Sequence, residues 1–479
     1  MDTVPRYKPA TLRLRRLYLG TVSPADRATH HVRHEIDLPK PPMLSLIGLL
    51  SGLALLIMLT MRGMSLFVAT PLCALLVALT SGIALLPPLA AEEQANLVTQ
   101  YMNGFTGFIA AWFFIFLLGS LFGKIMESSG GAESVAHWII GHLGTQRAAL
   151  AVVIACAVLT YGGVSLFVVA FSVYPMALAL FRDAKLPRRF IPASMAFGSV
   201  TFTMTSAGSP EIQNWIPVQY LGTSPLAAWE ASLVVAIFMA TTGYLWLKWM
   251  LDRALARGEH FDERAFDPDS GRADLPHPAL SAIPLLVVLG ISFATHDNLG
   301  TSALIVALTS GCIAAALINP LHLHYPGRAL AEGGTGALIA IGNTAAVVGF
   351  GTVAKAAPAF TLAVDWVTHL PGNGLVSAAI AVSAIAAMTG SASGGQAIAL
   401  PILGPHYIDQ GVDPEQLHRV VAISSGALDS LPHNGYVVTT IRAICGETHA
   451  AAYPAMAALT VAVPLAGLIL CLGLFGIGL

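Results

Sequence analysis

The 479-residue chain draws 55% of its residues from the hydrophobic set and only 10% from Asp, Glu, Lys and Arg, where a soluble domain carries about a quarter charged residues. A soluble globular protein is excluded. The 24 Lys and Arg against 26 Asp and Glu leave a formal charge of −2, with no basic face for nucleic acid. The five cysteines all sit in apolar stretches without CxxC spacing, so they predict packing residues, with no disulfide framework and no metal site.

Residues 1–43 hold eight basic residues and no apolar core of signal-peptide length. They read as a disordered extension, or as the product of a start assigned upstream of Met43; an intact mass beginning at residue 1 would dismiss the second option. Beyond them, long intervals without charge follow one another: Pro41–Met61, Met64–Ala91, Gln94–Gly123, Ala148–Phe181, Ala231–Leu247, His277–Thr295, Asn298–Gly327, Ala337–Ala354, Trp366–Ile408 and Ala450–Leu479. A membrane span needs roughly 20 apolar residues. These intervals are apolar on every face, rather than alternating as barrel strands do. The expectation is an all-α polytopic protein of the cell inner membrane.

An internal repeat is visible. Ala78-Leu79-Thr80-Ser81-Gly82 recurs as Ala307-Leu308-Thr309-Ser310-Gly311, and nearly the same displacement aligns Gly119…Lys124 with Gly349…Lys355 and His137-Trp138 with Asp365-Trp366, and brings Leu186-Pro187-Arg188-Arg189 near Asp413-Pro414-Glu415 with His418-Arg419. The predicted organisation is an N-terminal extension (1–43), a first transmembrane repeat (44–250), a cytoplasmic linker (251–277) and a second repeat (278–479). Each repeat reads as three ordinary spans, a re-entrant hairpin, a discontinuous helix and a last span. The hairpin arms of Ala148–Phe181 are each about 20 Å long, too short for comfortable crossing. About five crossings per repeat would invert the second repeat against the first, as in many secondary transporters. Arg62, Lys124, Arg147, Arg182 to Arg189, Lys248 to Arg272 and Arg328 then share one side, which the positive-inside rule makes cytoplasmic. This puts both chain ends outside, at odds with the basic first 43 residues.

Polar and irregular backbone at membrane depth is tolerated only against protein or a water-filled cavity. Four such patches occur: Thr160–Ser165, Thr203–Asn214, Thr389–Gln396 and Ser424–Gly435. From them the candidate substrate-binding residues are Ser165, Ser206, Ser209, Asn214, Ser391, Ser393, Gln396, Ser430, His433 and Asn434, with Asp429 and His433 as candidate ion- or proton-coupling groups. Hydroxyls and helix N-termini favour a small anion. The competing reading is packing, because small residues and Ser/Thr also join membrane helices, and Asp429 has the alternative role of a helix cap. Lys355 suits either a substrate carboxylate or snorkelling to the interface. His369, His406, His418 and His449 lie beside loop signals and read as interfacial.

Ser391-Ala392-Ser393-Gly394-Gly395 and Ser425-Gly426-Ala427-Leu428-Asp429-Ser430-Leu431-Pro432-His433-Asn434-Gly435, followed by Cys445-Gly446-Glu447-Thr448-His449 and Tyr453, resemble the gluconate permease (GntP) family. Gly123 to Glu133 is similar to that family's loop after the third span. The resemblance runs from Leu44 to the C-terminus. It implies a proton-coupled symporter of gluconate or a short hydroxy- or keto-carboxylate, with sodium-coupled symport or cation/proton antiport as the alternative. It further implies no cofactor, and a homodimer built on the spans that do not carry the broken helices. A hydrolytic triad of Ser430, His433 and Asp429 is disfavoured, since neither a GxSxG elbow nor an HExxH helix is present.

Overall fold

The computed structural model describes residues 42–89, 94–144, 147–264, 274–368 and 373–479. Nearly all of residues 1–43, the middle of the linker (265–273) and His369 therefore lie outside the described residues. The rest is helical. The first half comprises α1 (Pro42–Met61), α2 (Leu66–Ser81), α3 (Leu97–Ser128), α4 (Gly131–Leu143), α5 (Ala148–Tyr161), α6 (Leu166–Asp183), α7 (Ile191–Ala196), α8 (Ile216–Leu221) and α9 (Trp229–Ala256). The same order returns in α10 (Pro278–Leu299), α11 (Ser302–Ile318), α12 (Pro326–Lys355), α13 (Pro358–Thr368), α14 (Gly374–Thr389), α15 (Ala392–Asp409), α16 (Pro414–Ala427), α17 (Gly435–Val438), α18 (His449–Ala457) and α19 (Val463–Gly476).

Among the described residues, seven helices are long and apolar enough to cross a membrane. Large apolar side chains such as Leu286, Leu317 and Ile469 stay exposed, which suits a lipid solvent and not water. Backbone groups at the helix starts are capped by side chains: Asn96 on α3, Asn373 on α14, Ser391 on α15, Asp413 on α16, Asn434 on α17 and Thr448 on α18. Each such cap is worth about 0.5–2 kcal/mol.

The two long helices α3 and α12 pack antiparallel. Ser120 Oγ donates to Gly333 O at 2.8 Å and Lys124 Nζ pairs with Glu332 at 3.0 Å at one end, while a Cβ on Gly104 would strike Thr352 at the other. Small residues let these backbones approach, as expected where apolar burial does not drive helix association.

One expectation about the fold needs correction. The segment after the third span is not a loop: residues 131–143 form α4, and α13 is its counterpart. Both are short, and the exposed Trp138 and Trp366 on them are typical of membrane–water boundaries. Arg328 lies inside the first turn of α12, where it pairs with Glu332 at 2.6 Å, four residues on. The charge-free interval from Trp366 to Ile408 takes in the end of α13 as well as the hairpin arms α14 and α15.

Candidate functional site

Each half contains a helical hairpin followed by an interrupted helix. In the first, α5 and α6 join through Gly162–Ser165, and α7 runs on as a π-helical turn (Phe197–Thr201) before the chain opens from Phe202 to the short turn at Ile212–Asn214. In the second, α14 and α15 join through Gly390-Ser391, and α16 ends at Ala427 before α17 resumes at Gly435 and passes into a π-helical turn at Thr439–Ile444. Proline and small residues at the breaks free backbone groups from the ladder, and π-turns recur at functional positions.

Each hairpin tip is pinned to the break of its own half. Tyr161 Oη donates to Ala207 O at 2.6 Å in the first, and Asn434 Nδ2 donates to Gly390 O at 3.0 Å in the second. Gly390 has φ +58°, and a Cβ there would also press on the His433 ring, so its lack of a side chain is required twice over.

The second tip and break bring six candidates together. Ser391 Oγ caps α15 through Gly394 N–H (3.1 Å) and lies 3.4 Å from Ser393 Oγ. Asp429, 6% exposed, accepts from Ser430 Oγ at 2.9 Å and from the backbone N–H of Ala392. Its carboxylate therefore rests at the N-terminus of α15, where amide donors and the helix dipole favour negative charge. Asp429 does not cap the helix that follows, which Asn434 caps; it lies instead beside the start of α15, whose own cap is Ser391. His433 is buried, and its Nε2 has no hydrogen-bond partner among the described residues. Asn434 caps α17, and Tyr453 Oη donates to Ser430 O at 3.2 Å.

The first-half candidates behave differently. Ser206 Oγ donates to Phe202 O at 2.5 Å, within its own turn, and Ser165 precedes α6 without a capping bond. Ser209 O accepts from Asn214 Nδ2 and Trp215 Nε1, both at 3.1 Å. Asn214 is fully engaged: Nδ2 also reaches Pro225 O, and Oδ1 accepts from Arg419 Nη1 at 3.1 Å. No hydrogen bond between Ser165 or Ser206 and the Asp429 group is present among the described residues. Gln396 bridges the halves, its Nε2 donating to Gln213 O (2.9 Å) and Ser425 Oγ (3.0 Å), while Oε1 of both glutamines is buried without a partner.

Two residues carry more than sequence reasoning gave them. His418 is not interfacial but fully buried, with Nδ1 2.7 Å from Thr223 Oγ1. Arg419 is equally buried, and its five N–H groups reach Ala227 O, Thr205 O, Asn214 Oδ1 and Pro225 O, all neutral acceptors. In the first half, Arg188 pairs with buried Glu447 at 3.0 Å, and Arg189 pairs with Glu259 at 2.7 Å and reaches Ala451 O at 3.4 Å. The recurrence of basic residues near Arg188-Arg189 and His418-Arg419 was the available signal. Of the remaining histidines, His406 contacts Gln410 and His449 contacts Arg442.

A polytopic helical bundle with paired hairpins and interrupted helices defines a membrane transporter. Its relatives say which kind. The GntP family permease profile matches residues 44–291. The chain is 34% identical to the uncharacterized transporter YxjC of Bacillus subtilis, over 87% of this chain and 96% of that one. It is 28% identical to the high-affinity gluconate transporter of Escherichia coli over 32% of this chain and 33% of that one. The chain therefore belongs to the GntP permease family; it is a multi-pass membrane transporter and not an enzyme. The fold is shared with the crystal structure of the Alcanivorax borkumensis YdaH transporter, at TM-score 0.55 and 16% identity, covering 92% of this chain and 99% of that one.

Proposed function

We propose that this protein is a secondary transporter that couples proton movement to symport of a small organic anion, gluconate-like or a short hydroxy- or keto-carboxylate. The observation that carries the reading is Asp429: a carboxylate buried at the tip of α15, next to Ser430, Ser391 and Ser393, with the unpartnered His433 Nε2 in the same cluster. A carboxylate held on a helix N-terminus occupies the place an anionic substrate would prefer. Protonating it frees that positive end and removes a repelling charge, so a proton and an anion bind together. The antiparallel run of α3 and α12 supports an inverted repeat, with the linker side facing the cytoplasm. Domain limits near residues 44–250 and 278–479 fit the recurrence of helices, with α9 reaching into the linker as far as Ala256.

A second reading, sodium-coupled symport, draws on the orphaned Gln213 and Gln396 amide oxygens, which are hard acceptors of the kind sodium takes. Uptake of labelled gluconate, 3-hydroxybutyrate and citrate into proteoliposomes, with proton and sodium gradients imposed separately, decides between them. Accumulation on a proton gradient alone is the expected result. Sodium dependence would replace the first reading with the second, and transport of none of the three would remove both.

A further inference from the structure

A cavity of about 250 Å³ lies away from the Asp429 cluster, where α3 and α12 face α8 and α15. Asn103, Gly107 and Trp112 come from α3, Lys355 from the last turn of α12, Tyr220 from α8 and Ile398 from α15. The volume is below the roughly 300–1,000 Å³ of pockets for drug-sized ligands and suits a smaller solute. Its lining has a marked character. Lys355 is the sole charged residue among those that line it, no carboxylate lies beside it there, and no ion-pair partner for it is found among the described residues. Asn103 and Tyr220 add an amide and a phenol, and Trp112 and Ile398 form buried apolar walls. Lys355 and Asn103 are exposed, so the cavity is open on their side, and a cation with neutral hydrogen-bonding groups against an apolar wall offers a site for a small hydroxylated oxyanion.

The cavity also leads somewhere. Ala397, which lines it, is one helical turn along α15 from Ser393 and shares its face. On α12, Val348, Gly351 and Lys355 line it in successive turns, and the neighbouring Val347 meets Gly394 of the hairpin tip. Lys355 is eight residues from Val347, about 12 Å at 1.5 Å per residue. An anion held at Lys355 is thus roughly two helical turns from Ser391 and Ser393.

We propose that this cavity is an outer capture site for the carboxylate solute: Lys355 takes the carboxylate, and Asn103 and Tyr220 take hydroxyl groups, before the solute moves along α15 to the hairpin tip. The proposal rests on the carboxylate-transport reading above. An anionic lipid headgroup offers the same oxyanion chemistry, so the test must separate the two sources.

Initial uptake rates would be measured in proteoliposomes of zwitterionic lipid alone and again with added anionic lipid, using whichever of gluconate, 3-hydroxybutyrate and citrate the unaltered protein accumulates. Lys355→Gln is expected to raise KM about tenfold with kcat within about twofold, in both lipids, the loss of one charge-assisted hydrogen bond. Lys355→Arg is expected to stay within about threefold. Gly107 gives an independent arm: it lines the cavity and a Cβ there meets nothing within 4 Å, so Gly107→Leu adds bulk at the lining and is expected to raise KM as well. An unchanged KM in Lys355→Gln beside an active parent protein overturns the capture site alone. A KM effect seen only with anionic lipid overturns it in favour of a headgroup. Absence of uptake by the parent protein defeats the carboxylate reading on which the proposal rests.

Discussion

Replacing Arg419 by Met tests what joins the start of α16 to the first-half break. Methionine fills the aliphatic stem but removes all five donors. Two of the four acceptors, Thr205 O and Ala227 O, then lose the only hydrogen bonds described for them. Asn214 Oδ1 keeps only the 3.4 Å approach of His418 Nε2, whereas Pro225 O retains Gly208 N–H and Asn214 Nδ2. A buried acceptor left without a donor costs about 1–3 kcal/mol. Two full losses and one partial loss total ~3–6 kcal/mol, offset in part because a guanidinium no longer has to be desolvated. A net loss of ~3 kcal/mol is the expected outcome, lowering the melting midpoint in detergent by about 5 °C or more. Fluorescence-detected size-exclusion after a heating series measures it, with Arg419→Lys expected to fall between the two. Arg419→Met melting with the parent protein would show that the guanidinium's desolvation cancels its bonds, and the clasp would cease to be a stabilising feature.

Asp429→Asn is expected to abolish proton-driven accumulation while leaving a monodisperse protein; uphill uptake at the parent rate would remove Asp429 from coupling. Ser393 Oγ has only the long contact to Ser391 and so remains free to donate to a solute. Ser393→Ala should therefore weaken affinity by ~0.5–1.5 kcal/mol, up to about tenfold, and an unchanged KM would place this hydroxyl in packing. Glu447→Gln removes the carboxylate that pairs with Arg188 at 3.0 Å, both side chains being 5% exposed. Breaking a buried pair by removing one partner costs about 3–5 kcal/mol, so the same heating series should show a loss at least as large as that of Arg419→Met.

Hydropathy made most of the long helices legible, because lipid demands apolar surface and satisfied backbone over the whole length of a span. It failed where charge enters a helix with a partner: α12 begins at Pro326 and carries Arg328 and Glu332, the latter paired with both Arg328 and Lys124, so a scan for charge-free intervals truncates it. It failed again at α4 and α13, which are short and mixed in character. Glycine, serine and proline marked both hairpin tips and both breaks, since a turn at membrane depth leaves few other choices. Direction was not legible. Whether Asp429 meets the helix that follows or the hairpin beside it depends on how α14, α15 and α16 pack, and no local spacing records that. Arg419 was visible as a charge, but its partners are backbone carbonyls of Thr205, Pro225 and Ala227, which every residue possesses and no side chain advertises.

The polar contacts sort into two kinds with different physical consequences. Bonds from hairpin tip to break, Tyr161 to Ala207 and Asn434 to Gly390, stay within one half, so each tip and its break form one mechanical unit. The arginine clasps cross between halves, and they are unequal. Arg188 and Glu447 form an ion pair that the linker's Arg264, 38% exposed, also joins at 2.9 Å; water reaches its edge and competes for its charges. Arg419 meets only neutral acceptors in a sealed environment, where no charge pair can be solvated piecemeal and its bonds must be given up together. An alternating transporter needs its two sides closed by contacts that do not open at once. Arg188 with Glu447, reached from the linker by Arg264, and Arg419 with backbone carbonyls and Asn214 therefore hold the two halves by contacts of unequal kind.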